Sequence, residues 1–143
     1  MSEATHHWIC CQIGSREHYA VPRALNRAGE LRLLVTDAWL PPGPLEAVAP
    51  SRLRGRYHPE LGAAPVWAPT AGALAFEARR RIARRRGWQA MVERNTWFQE
   101  RAIEHLDRAV ASSEDRPSTV LFAYSYAAGL IFEYAKRVGM LPA

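Results

Sequence analysis

Apolar runs and helical apolar spacing alternate along the first part of the chain. Residues 8–13 form a short apolar run that ends at a Gly-Ser pair, which is typical of a strand buried on both faces of a parallel sheet. Over residues 19–28 the apolar positions recur with helical spacing, and Gly29 is a good helix stop. Residues 31–36 are again strand-like. This order of strand, glycine turn, helix and strand predicts one βαβ unit.

Residues 38–72 have no periodic pattern. Prolines and glycines occur throughout this stretch and interrupt any long element. Because a loop of this length is uncommon in a compact domain, two interpretations stay open, a functional loop and a disordered insert. Residues 61–67 are a candidate for a short third strand inside it.

Helical composition returns after this stretch. Residues 73–86 predict a helix rich in alanine and arginine, and Gly87 is expected to break or kink it. A longer amphipathic helix is expected over residues 88–111. Asn95 and Gln99 fall within its apolar face, which indicates either hydrogen-bonded core groups or the border of a polar groove.

The last part of the chain repeats the order of strand and helix. Residues 119–124 predict another buried strand, and Ser125 is placed to cap a helix over residues 126–138. The alternation predicts an α/β doubly wound domain, a Rossmann-like three-layer fold with a mostly parallel sheet. A further strand is expected after Gly139, but the sequence stops at Ala143, so the domain is expected to be incomplete at its C-terminus.

Composition narrows the class of protein. A length of 143 residues suits one domain over residues 1–143, and an apolar fraction of 48% argues against wholesale disorder. No apolar run approaches the ~18 residues of a membrane span, and no secretory signal is visible. Cys10 and Cys11 are adjacent in a predicted strand, so they are expected to be free thiols. These features fit a cytoplasmic location.

Charge raises the question of an anionic partner. The chain carries 19 Lys and Arg against 14 Asp and Glu, a net charge of +5, and Lys136 is its only lysine. An arginine-rich coding bias explains this as well as an anionic partner does. The arginine triplets predict either a solvated helix or contact with an anionic membrane surface. These residues are Arg79, Arg80, Arg81, Arg84, Arg85 and Arg86. Nucleic acid is not expected, because no aromatic residues alternate with them.

Candidate site residues lie at the predicted strand ends. In an open parallel sheet, ligands bind at the carboxyl ends of the strands, where the strand order reverses. The candidate cleft-lining residues are Gly14, Ser15, Arg16, His18, Asp37, Tyr124, Ser125 and Tyr126. A glycine lets the backbone approach a ligand, an arginine can bind an anion, and acid and tyrosine groups can bind hydroxyls. Each also has a structural interpretation as a turn, a cap or a buried ring. No metal-ligand spacing is seen, and no catalytic residue is assigned.

Three segments carry a resemblance to a known family. Residues 7–25 read HWICCQIGSREHYAVPRAL, residues 33–39 read LLVTDAW, and residues 122–128 read FAYSYAA. They resemble the N-terminal part of bacterial glycosyltransferases of the group 1, family-4-like type. Many relatives carry a histidine at the last of these strand ends, where this chain has Tyr124, Ser125 and Tyr126.

The resemblance implies the acceptor-side, Rossmann-like domain of a GT-B enzyme. Such an enzyme transfers a sugar, with retention, from a nucleotide-sugar donor to an acceptor, which can be a sugar, a polysaccharide or lipid-linked, and it usually needs no metal. The donor-binding C-terminal domain is not found in this sequence. The isolated chain is therefore expected to bind no cofactor and to be inactive. The resemblance also gives the arginine segment a role at the inner membrane surface.

Two other interpretations of the same residues stay open. The chain can be a non-catalytic, Rossmann-like module that binds an anionic ligand or a lipid headgroup. It can also be one subunit of a split enzyme, whose donor-binding domain lies in a partner chain.

Overall fold

A sheet of five parallel strands lies at the centre of the structure, a computed structural model that describes residues 6–110 and 116–143. The strands are β1 (His7–Gln12), β2 (Leu31–Thr36), β3 (Val66–Trp67), β4 (Thr119–Ala123) and β5 (Leu141–Pro142). Their order across the sheet is β3-β2-β1-β4-β5, and all neighbours run parallel. The strand order reverses between β1 and β4, as in Rossmann-like folds, and the predicted fold class is confirmed.

Helices cover both faces of the sheet. Those of the described residues are α1 (Ala20–Arg27), α2 (Pro44–Val48), α3 (Thr70–Ile82), α4 (Gly87–Val110) and α5 (Gly129–Val138). On one face α4 and α5 bury Phe98, Leu106 and Ile131 against the strands. On the other face the segment around α1 buries Tyr19, and the stretch before β3 buries Leu61. The result is three layers with the sheet in the middle.

Strand β1 pairs with β2 and β4 along its two edges, and the helical layers bury its two faces. Cys10 lies between Leu34 and Phe122 in the sheet. Cys10 and Cys11 belong to opposite core faces, and both are free thiols, as predicted. Burial raises the pKa of the Cys10 thiol to about 12 and shifts the pKa of Cys11 in the same direction. Both side chains therefore act as small apolar core groups.

The stretch predicted as a loop over residues 38–72 is packed onto the sheet. It contains α2, two short 3-10 turns and β3, and α3 already begins within it at Thr70. Leu53 and Leu61 are buried, and the Leu40 N–H donates to the Arg56 carbonyl at 2.9 Å. The interpretation as a disordered insert is therefore wrong. The short third strand is confirmed at Val66–Trp67.

The arginine helix is shorter than the sequence predicts. Helix α3 ends at Ile82, and the backbone of Arg84 is left-handed, with φ of 53°, a conformation that a right-handed helix does not contain. The prediction of a helix to residue 86 is therefore wrong. Arg84, Arg85 and Arg86 lie in the turn between α3 and α4. The break expected at Gly87 begins earlier, after Ile82, and Gly87, with φ of 65°, is the first residue of α4.

The end of the chain differs from the prediction in its capping. Helix α5 begins at Gly129, after a 3-10 turn over Ser125–Ala127, so the prediction that Ser125 caps it is wrong. Instead, Oε1 of Gln99 accepts the Leu130 N–H at 2.9 Å. This donor is one of those that the start of a helix leaves without a partner in the helix. The sequence was expected to stop before a further strand, but a two-residue strand, β5, follows Gly139 and pairs with β4.

Candidate functional site

The three predicted strand ends meet at one edge of the sheet. The Gly14 N–H, after β1, donates to Asp37 Oδ1, after β2, at 2.8 Å. The Tyr126 hydroxyl, after β4, donates to the carbonyl of Ile13 at 3.1 Å. The residues after β1 and β4 lie where the strand order reverses, which is the usual ligand position in this fold. We call the group formed by Gly14, Arg16, Asp37, Tyr124 and Tyr126 the carboxyl-edge site.

Asp37 is the carboxylate of the carboxyl-edge site, and it is buried. Its side chain is 7% exposed and receives an Arg56 Nη1–H at 3.0 Å and an Arg94 Nη2–H at 3.1 Å. Together with the bond from Gly14, three separate segments donate to one carboxylate. A buried carboxylate requires such partners, because its desolvation is otherwise costly. Sequence analysis considered the Asp37 carboxylate as an acceptor for ligand hydroxyls. Both of its oxygens already accept hydrogen bonds from groups of the chain itself.

The ion pairs continue from Asp37 to the start of the arginine segment. Arg94 Nε lies 3.9 Å from Glu77 Oε1, and Arg80 Nη2 lies 2.7 Å from Glu77 Oε2. Glu77 is therefore shared by an arginine from its own helix α3 and one from α4. Sequence reasoning missed Arg56 and Arg94, because nothing in a chain so rich in arginine distinguishes these two from the others.

A cavity of about 350 Å³ opens beside Asp37, between α3, α4 and the stretch after β2. Its charged lining is Asp37, Arg56, Glu77, Arg80, Arg81 and Arg94. Its other wall is apolar and includes Leu53, Leu74 and a stacked pair, Phe76 and Trp97, whose ring centroids are 5.1 Å apart. We call it the β2 cavity. Its size suits a small molecule, and four arginines against two acids make it basic.

The turn between β1 and α1 holds an unusual backbone. Glu17, His18 and Tyr19 have φ values of 50°, 52° and 60°, a left-handed run of three residues that are not glycine. Each costs about 1 kcal/mol or more, so the surroundings must impose it. Tyr19 is fully buried, its ring packs edge-on against Trp39 with centroids 5.4 Å apart, and burial raises the pKa of Tyr19 to about 12.

Arg16 covers the tyrosines of the third strand end. Its guanidinium carbon lies 4.6 Å from the Tyr126 ring centroid and 5.6 Å from that of Tyr124. These distances fit cation–π contacts. Burial raises the pKa of Tyr124 and of Tyr126, so both hydroxyls stay protonated at neutral pH and act as hydrogen-bonding groups.

The other three predicted cleft residues, Ser15, His18 and Ser125, are less buried than Asp37. Ser15 is half-buried, and the side chains of His18 and Ser125 are exposed. His18 lies on the left-handed turn, and its carbonyl accepts a long hydrogen bond of 3.4 Å from Arg23 Nη1. Asn95 and Gln99, flagged in the sequence, border this edge through α4: Asn95 Nδ2 donates to the Tyr126 carbonyl at 2.9 Å.

The arginines of the predicted membrane surface lie in the last turn of α3 and in the turn that joins α3 to α4. Arg79, Arg81, Arg84, Arg85 and Arg86 are exposed, whereas Arg80 is half-buried against Glu77. Two large apolar side chains project among them, Ile82 with 83% exposure and Trp88 with 75%. We call these exposed arginines with Ile82 and Trp88 the arginine tip. Arg80, Arg81 and the turn arginines line a groove at the tip, and Arg80 and Arg81 also line the β2 cavity.

Within residues 6–110 and 116–143, no group of three His, Cys, Asp or Glu side chains is placed to hold a metal ion. None of the helices there combines the length and apolar character needed to cross a membrane. The chain matches no protein-family model, and searches of curated proteins and solved structures find no significant match. Its function therefore has to be inferred from the residues of the site.

Proposed function

We propose that the chain is the acceptor-side domain of a retaining glycosyltransferase of the GT-B type. The observation that carries the proposal is the contact of Arg16 with Tyr126, reinforced by the hydrogen bond from Tyr126 to the Ile13 carbonyl. It joins the first and third segments of the family resemblance into one wall of the carboxyl-edge site. Ligands of open parallel sheets bind at this edge.

The carboxyl-edge site supplies binding groups for an acceptor. Arg16 supplies a positive charge beside the two tyrosines, whereas the Gly14 N–H is already bonded to Asp37 and the open side of Gly14 faces Arg56. Tyr124 and Tyr126 offer ring faces and protonated hydroxyls to a sugar or its phosphate. None of these groups is suited to act as a general base at neutral pH, so we assign no catalytic residue. The nucleotide sugar would bind a second, donor-side domain across the cleft, and we expect no turnover from this chain alone.

The arginine tip supports a peripheral position at an anionic membrane surface. Each arginine near such a surface adds about 1 kcal/mol, and a tryptophan among them suits the headgroup region. Exposed Ile82 and Trp88 supply the apolar part of the contact. A lipid-linked acceptor would then reach the site from the membrane on which the protein rests, at the cytoplasmic face.

A second candidate is a binding module without catalysis, either alone or as the subunit of a split enzyme. The observation that favours it is the β2 cavity, whose charged and apolar walls are both formed by this chain. Such a module would bind an anionic ligand without any donor domain.

The test uses the native protein purified from its own cells. Its intact mass is measured, and the preparation is supplied with radiolabelled nucleotide sugars and with lipid and polysaccharide extracts of the same cells. We expect sugar transfer when a donor-binding half is present, in the same chain or a partner, and none from the 143-residue chain alone.

Variants connect that activity to the site. Arg16→Ala is expected to lower transfer at least about tenfold, which corresponds to about 1.4 kcal/mol of barrier. Arg108→Gln, an exposed residue near the end of α4, serves as the control. Absence of transfer from every preparation and every donor contradicts the proposal, as does transfer that is insensitive to Arg16→Ala.

A further inference from the structure

The charged groups around the β2 cavity are engaged with one another. Arg56 and Arg94 donate to Asp37, at 3.0 and 3.1 Å. Arg80 donates to Glu77 at 2.7 Å. A ligand anion would have to draw these arginines away from the acids and would leave the buried Asp37 carboxylate without its partners, which is costly. A cation is disfavoured as well, because arginines outnumber acids in the lining. The cavity therefore favours a neutral ligand.

One oxygen of Asp37 has room for a further hydrogen-bond donor. Its Oδ1 accepts hydrogen bonds from Gly14, Thr36 and Arg56. Among the residues that the structure describes, Arg94 is the one donor to Oδ2, at 3.1 Å. Each oxygen of a carboxylate has about two lone-pair sites. The Asp37 side chain is 7% exposed and lines the cavity, so a ligand there can donate to it without displacing the groups already bound.

The other wall of the cavity is apolar and partly aromatic. Phe76 of α3 and Trp97 of α4 stack with ring centroids 5.1 Å apart, and Leu53 and Leu74 line the cavity with them. Aromatic pairs gain free energy beyond their buried area, so this wall favours a ligand with a ring. The cavity volume of about 350 Å³ exceeds the roughly 150 Å³ in which an apolar cavity binds benzene. One ring with a short substituent therefore fits.

We propose that the β2 cavity binds a neutral aromatic alcohol, whose ring lies against Phe76 and Trp97 and whose hydroxyl donates to Asp37 Oδ2. A hydroxyl makes a short and strong hydrogen bond to a carboxylate. A phenol stays un-ionised at neutral pH, as the tyrosine side chain does, so it brings a donor without a charge. The inference goes beyond the proposed function, because it assigns a second ligand beside the carboxyl-edge site. It also gives the alternative binding module a neutral ligand in place of an anionic one.

The first experiment compares three probes that share one ring and differ in one group. The probes p-ethylphenol, p-ethylanisole and p-ethylbenzoate are titrated into the nitrogen-labelled full chain, and NMR follows the indole N–H signal of Trp97, which is identified by its absence in Trp97→Phe. We expect p-ethylphenol to bind at least about tenfold more tightly than either other probe, as for one hydrogen bond to a charged group. Equal binding of the phenol and its methyl ether overturns the proposal. Tighter binding of the benzoate, or no binding of the phenol, does so as well.

The second experiment tests the hydrogen bond to Asp37. In Asp37→Asn, one of the two polar atoms still accepts the Gly14 N–H, while the other becomes a donor and no longer accepts a hydroxyl. The advantage of p-ethylphenol over p-ethylanisole is expected to shrink from about tenfold to about twofold or less. A folded variant that keeps the tenfold ratio overturns the assignment, even if it binds both probes more weakly, because structural damage acts on both alike.

A pair of leucine variants places the ligand in the cavity and decides the matter if Asp37→Asn does not fold. Leu74 lines the cavity and is 42% exposed, whereas Leu130 lies on α5 and is 40% exposed. Leu74→Ala is expected to weaken both p-ethylphenol and p-ethylanisole at least about threefold, as for the loss of one buried methylene. Leu130→Ala is expected to bind them like the unaltered protein. Equal effects of the two substitutions overturn the location.

These titrations require no sugar donor, so the inference and the proposed function can fail separately. Sugar transfer by a protein that does not bind p-ethylphenol overturns the inference and leaves the transferase. Binding of p-ethylphenol with the expected dependence on Leu74 and Asp37 supports the inference, whether or not the protein takes part in transfer.

Discussion

Arg94 Nη2 lies 3.1 Å from Asp37 Oδ2, and this ion pair joins the first half of α4 to the end of β2. Fifty-seven residues separate the two in sequence. The pair sets the position of α4 relative to the strand ends, and it closes one side of the β2 cavity. Arg56 donates to the other oxygen of the same carboxylate, so the stretch between β2 and β3 is held at this point as well.

The first prediction concerns the stability that depends on Asp37. Asp37→Ala leaves Arg56, 13% exposed, without its carboxylate and removes the acceptor of the Gly14 N–H. We expect the free energy of unfolding in urea to fall by about 3 kcal/mol. Glu133→Ala, at an exposed position of α5, is the control and is expected to change it by less than about 0.5 kcal/mol. A loss as small as that of the control would show that the three bonds to Asp37 contribute little.

The second prediction compares two glycines with left-handed backbones. Gly14 and Gly29 have φ of 83° and 74°, so alanine is strained at both, by about 1 kcal/mol. A Cβ at Gly14 would also lie 3.1 Å from Arg56 Nη1, whereas at Gly29 it would meet nothing within 4 Å. Gly14→Ala is therefore expected to lower the free energy of unfolding more than Gly29→Ala does. Equal losses in urea titrations would mean that Arg56 moves aside without cost.

The third prediction concerns pH. His105 stacks on Trp67 with centroids 4.1 Å apart, and burial lowers the pKa of His105 from its ordinary value of 6.5. The folded protein thus favours the neutral imidazole. The resulting stability is present above about pH 6.5 and is lost as the pH falls through the lowered pKa of the folded state.

Melting temperatures at pH 7.5 and pH 5.5 measure this effect. The fall in melting temperature between the two is expected to be smaller for His105→Gln than for the unaltered protein. His6→Gln, at an exposed position, is expected to behave like the unaltered protein. If the melting temperature of His105→Gln falls as much between the two pH values as that of the unaltered protein, groups other than His105 cause the acid sensitivity.

The fourth prediction concerns the arginine tip. Replacing Arg84, Arg85 and Arg86 by glutamine is expected to weaken binding to vesicles containing phosphatidylglycerol about a hundredfold, at about 1 kcal/mol for each arginine. Pelleting with vesicles measures this, and binding is expected to fall as salt is added.

The matched control for that experiment removes the same charge elsewhere. Arg27, Arg108 and Arg137 are exposed on other parts of the surface, and their replacement by glutamine is expected to have a much smaller effect. If both triple variants lose binding equally, net charge and not the tip is responsible. Binding that ignores lipid charge would remove the membrane role altogether.

The sequence predicted the strands and helices whose bounds depend on neighbouring residues in the chain. The bounds of β2 agree residue for residue, because an apolar run followed by Asp37 is readable without any partner. The left-handed backbone of Arg84 could not be predicted, since a run of arginines and alanine is good helix sequence.

The candidate site was predictable in part for the same reason. Gly14, Asp37 and Tyr126 lie within three residues of strand ends, so the parallel sheet brings them together at one edge. Arg56 and Arg94 contact Asp37 only through the packing of the irregular stretch and of α4. In the sequence they are two arginines among many, and no spacing relates them to Asp37.

The central position of β1 has a consequence for synthesis on the ribosome. Trp8 of β1 pairs with Val120 of β4, which is made more than a hundred residues later, on the order of ten seconds at ordinary rates of translation. During that interval β1 can pair with β2 but keeps its other edge open, and open apolar edges recruit strands from other chains. A ribosome that pauses within α4 would prolong this state, so the nascent chain is expected to depend on chaperones until β4 emerges.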